Sequence, residues 1–279
     1  MGFDLFRIHG HESTVRILSD GVGVQQLHHA YLISGPANIG KTTLAFQLAQ
    51  AVNCEEIDPP CGECGSCRRI QQLSHADVVM MDKKSNSGTL ADVNGSDSSD
   101  DSGINFVRSL LGTLSLKPFE GRTRVVIIQD IEHFQISAAN ALLKIIEEPP
   151  PQSLVILTTS NLDFVLPTII SRCQLIELHP LPINQIREIL QEKSEIESNQ
   201  IEEIVNLSRG RIGWALEALQ SPDHLAAIHR QLERITDVAG SGLENRFHYA
   251  DDLSRRFYSN KETGFQELAI WIEWARDIL

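Results

Sequence analysis

Four short apolar runs, each bounded by polar, Gly or Pro positions, punctuate the first two thirds of the chain: Ala30 to Ser34, Val125 to Ile128, Leu154 to Thr158 and Gln174 to Leu178. Runs this short and this continuously apolar suit strands buried on both faces of a parallel sheet. Between them the apolar spacing changes to a helical period, predicting helices over Lys41 to Val52, Ile104 to Leu114 and Ser137 to Glu148. The last must stop at Pro149, Pro150 and Pro151, because proline lacks the amide hydrogen and clashes with the preceding turn. After Pro180 and Pro182 only helical spacing remains, in Ile186, Ile189 and Leu190, then in Ile201, Ile204 and Val205, and from about Leu225 to the end. The pattern predicts an α/β domain over residues 1–178, a small helical domain over 179–221 and further helices over 222–279. Residues 82–103 contain almost no large apolar side chain to offset the entropy of ordering, so a mobile surface loop is expected there.

Composition narrows the class. No apolar run approaches the roughly 20 residues that span a bilayer, and the N-terminal residues interleave charge with single apolar positions, unlike a secretory signal. A cytoplasmic protein is expected. The formal charge of −13 opposes a broad basic surface for nucleic acid, which also weighs against a zinc-dependent nucleic-acid binder.

Two segments carry chemistry. Gly35 to Thr42 fits GxxxxGK[ST] and lies between a predicted strand and a predicted helix, the context a phosphate-binding loop requires. Gly35 and Gly40 let backbone amides converge on phosphate oxygens, and the helix N-terminus adds partial positive charge. Lys41 would neutralise β and γ oxygens, Thr42 would ligate Mg²⁺, and Thr43 follows at the helix start. An ordinary glycine turn is the plain alternative. Hydrolysis asks for more, namely an acid at the end of a second strand to hold the metal's water shell. There the chain reads Gln129 and then Asp130, so the expected acid is a neutral amide. A register shifted by one, with Asp130 supporting the metal and Glu132 activating water, is the alternative.

Cys54, Cys61, Cys64 and Cys67 form Cys-x6-Cys-x2-Cys-x2-Cys, with Gly62 and Gly65 following two of them. Four thiolates suit tetrahedral Zn²⁺ and leave no open position for substrate, so the zinc would be structural. A redox pair or disulfides are the alternatives. Cys173 stands apart.

His29 to Cys54, the knuckle CGECGSC (Cys61 to Cys67), AANALLKIIEEPP (Ala138 to Pro150) and TIISRC (Thr168 to Cys173) together resemble bacterial DNA polymerase III clamp-loader subunits, over roughly residues 1 to 220. The resemblance implies an AAA+ fold with a zinc module at 54–67, a helical lid over 179–221 and part of a helical collar over 222–279. Two kinds of subunit share these motifs, the ATP-hydrolysing motor (gamma or tau) and delta-prime. The motor's strand ends in Asp-Glu and its lid carries a GSxRDAL-like arginine, whereas this chain has Gln129-Asp130 and, in GRIGWAL (Gly210 to Leu216), Gly213. Arg211, two residues earlier, lies about 200° away around a helix. Both departures favour the delta-prime kind, a stator within the polymerase holoenzyme whose own ATPase is weak or absent.

By the same resemblance, Arg172 of the Ser-Arg-Cys triplet is similar to an arginine finger offered to a neighbour's ATP, and Thr159 occupies the first sensor position. A surface ion pair for Arg172 and a strand cap for Thr159 are the plain alternatives. The implied partners are gamma or tau and delta subunits, a sliding clamp and primed DNA, and the implied cofactors are structural zinc and ATP with Mg²⁺.

Overall fold

The computed structural model describes residues 8–24, 26–81, 112, 114, 117–134, 136–193, 197–259 and 261–278. The loop expected at 82–103 and most of the helix expected at 104–114 lie outside the described residues. By internal contacts the chain forms two compact units, Met1–Ala215 and Leu216–Leu279.

The first unit is built on five parallel strands: β1 (Ala30–Ser34), β2 (Val78–Met81), β3 (Arg124–Ile128), β4 (Ser153–Thr159) and β5 (Gln174–Glu177). Their order is β2-β3-β4-β1-β5. Val126 pairs with Val155, Leu32 with Leu157, and Leu32 with Leu175. Four of the strands stand where the apolar runs predict them. β2, a run of only four residues, was not foreseen.

Strand side chains alternate between two apolar layers, as the period of two demands. Leu32, Val126, Ile128, Val155 and Leu157 face α4 (Ile136–Glu147) through Leu142, Ile145 and Ile146. Tyr31, Ile33, Val125, Ile127 and Ile156 face the other way. They pack on Leu18 of α1 (Glu12–Gly23), Leu44 and Leu48 of α2 (Lys41–Asn53) and Ile70 of α3 (Gly65–Gln71). α4 ends one residue before Glu148, just ahead of the prolines.

A short α5 (Pro167–Ile170) precedes β5. Then come α6 (Ile183–Lys193) and α7 (Ser198–Ser208), whose buried Ile186, Leu190, Ile201, Ile204 and Val205 confirm the helical spacing read there. α8 (Ile212–Gln220) runs across the boundary between the two units. The second unit continues as α9 (Pro222–Gly240), α10 (Leu243–Ser259) and α11 (Lys261–Ile278). Within it, the Glu267 carboxylate accepts from Tyr249 Oη at 2.5 Å and from Arg256 Nη1 at 2.6 Å, and Trp271 Nε1 donates to Tyr249 Oη at 2.7 Å. No described helix is long and apolar enough to cross a membrane.

The β2 edge is fastened by one buried acid. Asp77, with no exposed surface, accepts from the backbone amides of Phe119, Glu120 and Gly121 at 2.7, 2.8 and 2.7 Å and from Arg124 Nη2 at 2.8 Å. Burial opposes the charge, but these donors outweigh it and bring the carboxyl down to about 2. A depressed folded pKa stabilises above the unfolded value near 3.8, and the gain is lost as pH falls toward 2. Asp77 is therefore expected to contribute about 2 kcal/mol at neutral pH. Urea midpoints compared between pH 6 and pH 2 should fall more steeply for the native chain than for Asp77→Asn, which starts lower; parallel slopes would remove this assignment.

Candidate nucleotide and metal sites

Three strands deliver their C-terminal ends to one place, where ligands bind in open parallel sheets. β1 leads into the glycine loop, β3 into Gln129 and Asp130, and β4 into Ser160. Gly35 has φ +155 and sits so close to β5 that a Cβ would stand 2.5 Å from the Leu178 carbonyl oxygen. Gly40, at φ +110, caps α2. Both positions thus need glycine for conformational or steric reasons.

Lys41 is buried at the mouth of this loop. Its ammonium donates to the carbonyls of Gly35 and Pro36 at 2.7 and 2.9 Å and to Ser160 Oγ at 3.1 Å. Burial lowers its pKa, while the charges of Asp130 and Glu132 push it back up. The hydroxyl that would ligate Mg²⁺ is engaged: Gln129 Nε2 donates to Thr42 Oγ1 at 2.7 Å. Asp130 is held in left-handed backbone, φ 49 and ψ 55, and its amide donates to Thr158 Oγ1 at 3.2 Å. Glu132 accepts from the Ser160 amide through Oε1 at 2.8 Å, while its buried Oε2 has no hydrogen-bond partner.

Thr159 turns away from this cluster. It is wholly buried, and its hydroxyl both donates to the Asn161 carbonyl at 3.0 Å and accepts from the Asn161 amide at 3.1 Å, closing the turn that ends β4. Here it caps the strand, and the hydroxyl beside Lys41 belongs to Ser160, which the sequence reading missed. β4 is buried through Thr159, and Ser160 is the first exposed residue at its end.

The start of α8 meets the same loop through a backbone hydrogen bond. The Gly213 amide donates to the Asn38 carbonyl at 2.9 Å, and a Cβ on Gly213 would stand 2.6 Å from that oxygen. Asn38 is itself in left-handed backbone at φ 59. Arg211 is committed elsewhere. It donates through Nε to the Ser208 carbonyl at 3.0 Å, closing the end of α7, and its guanidinium lies over the Trp214 ring at 5.9 Å. Gly213→Ala is expected to break the amide–carbonyl contact and to cost about 1–3 kcal/mol. An unfolding midpoint equal to that of the native chain would show that the contact carries no stability.

Arg172 follows α5 and is partly exposed. Nε lies 2.8 Å from Glu147 Oε1, and Nη1 donates to the Thr168 carbonyl at 3.1 Å and to Ser171 Oγ at 3.3 Å. Its partners therefore belong to the end of α4 and to α5, not to the glycine loop.

The four clustered cysteines converge. Their sulfurs lie within 4.8 Å of one another, with Cys61 and Cys67 at 3.9 Å. A tetrahedron with Zn–S of about 2.3 Å has edges of about 3.8 Å, so the donor set fits zinc. Backbone amides already point at the sulfurs: Glu63 and Cys64 donate to Cys61 Sγ at 3.4 and 3.2 Å, Cys67 to Cys64 Sγ at 3.4 Å. Burial works against a Cys64 thiolate, but amide donors win and bring it down to about 7, whereas burial raises Cys54 and Cys67. A cation among them would be needed to hold all four as thiolates. The knuckle is tied to the sheet domain by Gln50 Nε2, which donates to the Cys67 carbonyl at 2.9 Å, and by Ser66 Oγ with His75 Nε2 at 3.0 Å. Thr42, Thr43, Phe46 and Gln47 of α2 and Pro60 and Gly62 of the knuckle line a cleft of ≈ 260 Å³.

Comparison with known proteins fits this frame. Residues 10–182 match the family model described as "DNA polymerase III, delta subunit". The chain belongs to the DNA polymerase III delta-subunit family. It is 32% identical over 244 residues to the DNA polymerase III subunit tau of Salmonella typhimurium, covering 87% of this chain and 32% of that protein. To the subunit gamma of Buchnera aphidicola it is 29% identical over 238 residues, covering 83% of this chain and 62% of that one. The chain thus spans less than two thirds of either relative. Among solved structures, a gamma subunit-related protein of Thermotoga maritima superposes with a TM-score of 0.50 at 21% identity, covering 93% of this chain and 76% of that one. A RuvB variant from the same organism gives 0.51 at 16%, covering 84% and 68%. At those identities the likeness shows a shared AAA+-type fold. The gamma and tau resemblance agrees with the clamp-loader family read from the motifs, and the parallel sheet agrees with the AAA+ expectation.

Proposed function

We propose that this chain is the delta-prime kind of clamp-loader subunit, a stator that hydrolyses ATP weakly or not at all and presents Arg172 to the ATP of an adjacent gamma- or tau-type motor subunit. Its work would be to help load a sliding clamp onto primed DNA, alongside delta and motor subunits. The observation that carries this reading is the Gln129 amide seated on Thr42 Oγ1. The position that should anchor the metal's water shell supplies no negative charge and occupies the hydroxyl that Mg²⁺ would take. Gly213 adds to it, because it carries no cationic side chain and its amide is taken by the Asn38 carbonyl. Lys41, Gly35, Gly40 and Thr43 remain suited to hold a nucleotide, with ATP as the ligand and zinc as the structural metal of the knuckle.

One observation favours the rival reading, an active motor of the gamma or tau kind. The buried Glu132 Oε2 lacks a partner and its charge is felt by Lys41, as a water-activating carboxylate would require. Steady-state hydrolysis separates the two. The isolated chain is expected to show no Lys41-dependent turnover and to co-purify with motor and delta subunits in one assembly. Turnover at an ordinary enzymatic rate, abolished by Lys41→Ala, would establish the motor reading, and failure to co-assemble would leave the stator reading without support.

A further inference from the structure

The end of α4 carries an acid where electrostatics disfavours one. A helix C-terminus is partially negative, so a carboxylate there is destabilising. Glu147 is the last residue of α4, fixed in place by the prolines that follow Glu148. Its Oε1 meets Arg172 Nε at 2.8 Å, and the two side chains are 47% and 39% exposed. The same guanidinium is held at Nη1 by the Thr168 carbonyl and Ser171 Oγ. Nε and Nη1 are thereby committed to this chain's own groups. The third nitrogen, Nη2, makes none of these contacts and is the donor left over for a phosphate oxygen. An unbranched, flexible side chain of this length otherwise surrenders rotamer freedom when it is fixed.

We infer that Glu147 is a positioning residue for Arg172: with Thr168 and Ser171 it holds the guanidinium plane so that Nη2 is presented outward before a partner arrives. The inference rests on the finger reading of Arg172 given above. It adds a residue on a different helix whose role is to orient the finger and not to touch nucleotide. A surface ion pair of this exposure contributes little to stability, so Glu147 variants should fold as the native chain does.

The test uses the full chain assembled with motor and delta subunits, a sliding clamp and primed DNA, and follows ATP hydrolysis. Glu147→Ala is expected to lower the Arg172-dependent part of kcat by between about ten- and a hundredfold, the cost of misplacing a catalytic group, while KM for ATP stays unchanged. Glu147→Asp, which keeps the charge, should recover part of the rate. In an Arg172→Ala background, Glu147→Ala should have no further effect, because its influence passes through the guanidinium. An equal loss in both backgrounds would show a merely structural role and overturn the inference. So would an unchanged rate in Glu147→Ala when Arg172→Ala is impaired, which would leave the finger reading standing. A faster rate in Glu147→Ala would mean that the pair sequesters the finger, and would also overturn it. If Arg172→Ala itself changes nothing, the finger reading fails and this inference falls with it.

Discussion

Arg172→Ala, introduced into the full assembly, is expected to slow ATP hydrolysis at the motor site it is proposed to face by about 10³-fold or more, the range typical of an arginine supplied across an interface. The expectation follows from three facts about the side chain. Arg172 carries a permanent charge, stands partly exposed after α5, and bonds to Glu147, Thr168 and Ser171 and not to the chain's own glycine loop. A charge that served this chain's own nucleotide would have to be within reach of Lys41, whose ammonium is met by Gly35, Pro36 and Ser160. Single-turnover measurements are the right readout. An assembly with several motor sites would show only a partial fall in steady-state rate, and the slow phase should grow to the share of one site. Arg172→Lys should rescue poorly, since an ammonium cannot keep the Glu147 and Thr168 contacts while donating outward. Identical time courses for Arg172→Ala and the native assembly would refute the trans role.

Withdrawing zinc should have a comparably large effect, on folding this time. Structural Zn²⁺ in small cysteine knuckles is bound with about 10–16 kcal/mol of apparent free energy at neutral pH. Four sulfurs brought within 4.8 Å of one another become mutually repulsive thiolates, or mispaired thiols, once the cation is gone. Chelation, or Cys64→Ser, is expected to unfold the 54–67 segment and lower the melting temperature of the whole chain. The damage should spread because Cys67 is buried beside α2, Gln50 is bonded to its carbonyl, and Ser66 is bonded to His75 next to Asp77. Metal content should read one zinc per chain, falling in step with the melting temperature. A chain that purifies without metal and melts at the same temperature as the zinc-loaded form would show the cluster to be something else.

Much of this was legible from residue order alone, and the reasons are physical. β1 and β3 announce themselves because a central parallel strand must be apolar on both faces, and the glycine loop because backbone φ near +110 to +155 admits little else. β2 escaped because Val78–Met81 is too short to show a period and owes its place to pairing with β3 and to the Asp77 anchor just before it. That anchor was hidden as well, since a single Asp signals nothing until the amides of residues 119–121 fold onto it. Ser160 was missed for a different reason. Position along a motif places a residue to within one, whereas the facing of a side chain at a strand's end changes with each residue. Glu147 was read only as part of a packing helix, because its partner Arg172 is distant in sequence and adjacent only once β4 and α5 have returned the chain to the end of α4.

The contact between Gly213 and Asn38 bears on how such a subunit would behave over a working cycle. The contact joins two main-chain groups of this chain, so its strength does not depend directly on whether a third phosphate is present. Any difference between ADP and ATP in how far they stabilise the chain should therefore arise at Lys41 and not at this contact, which stays the same as the nucleotide changes.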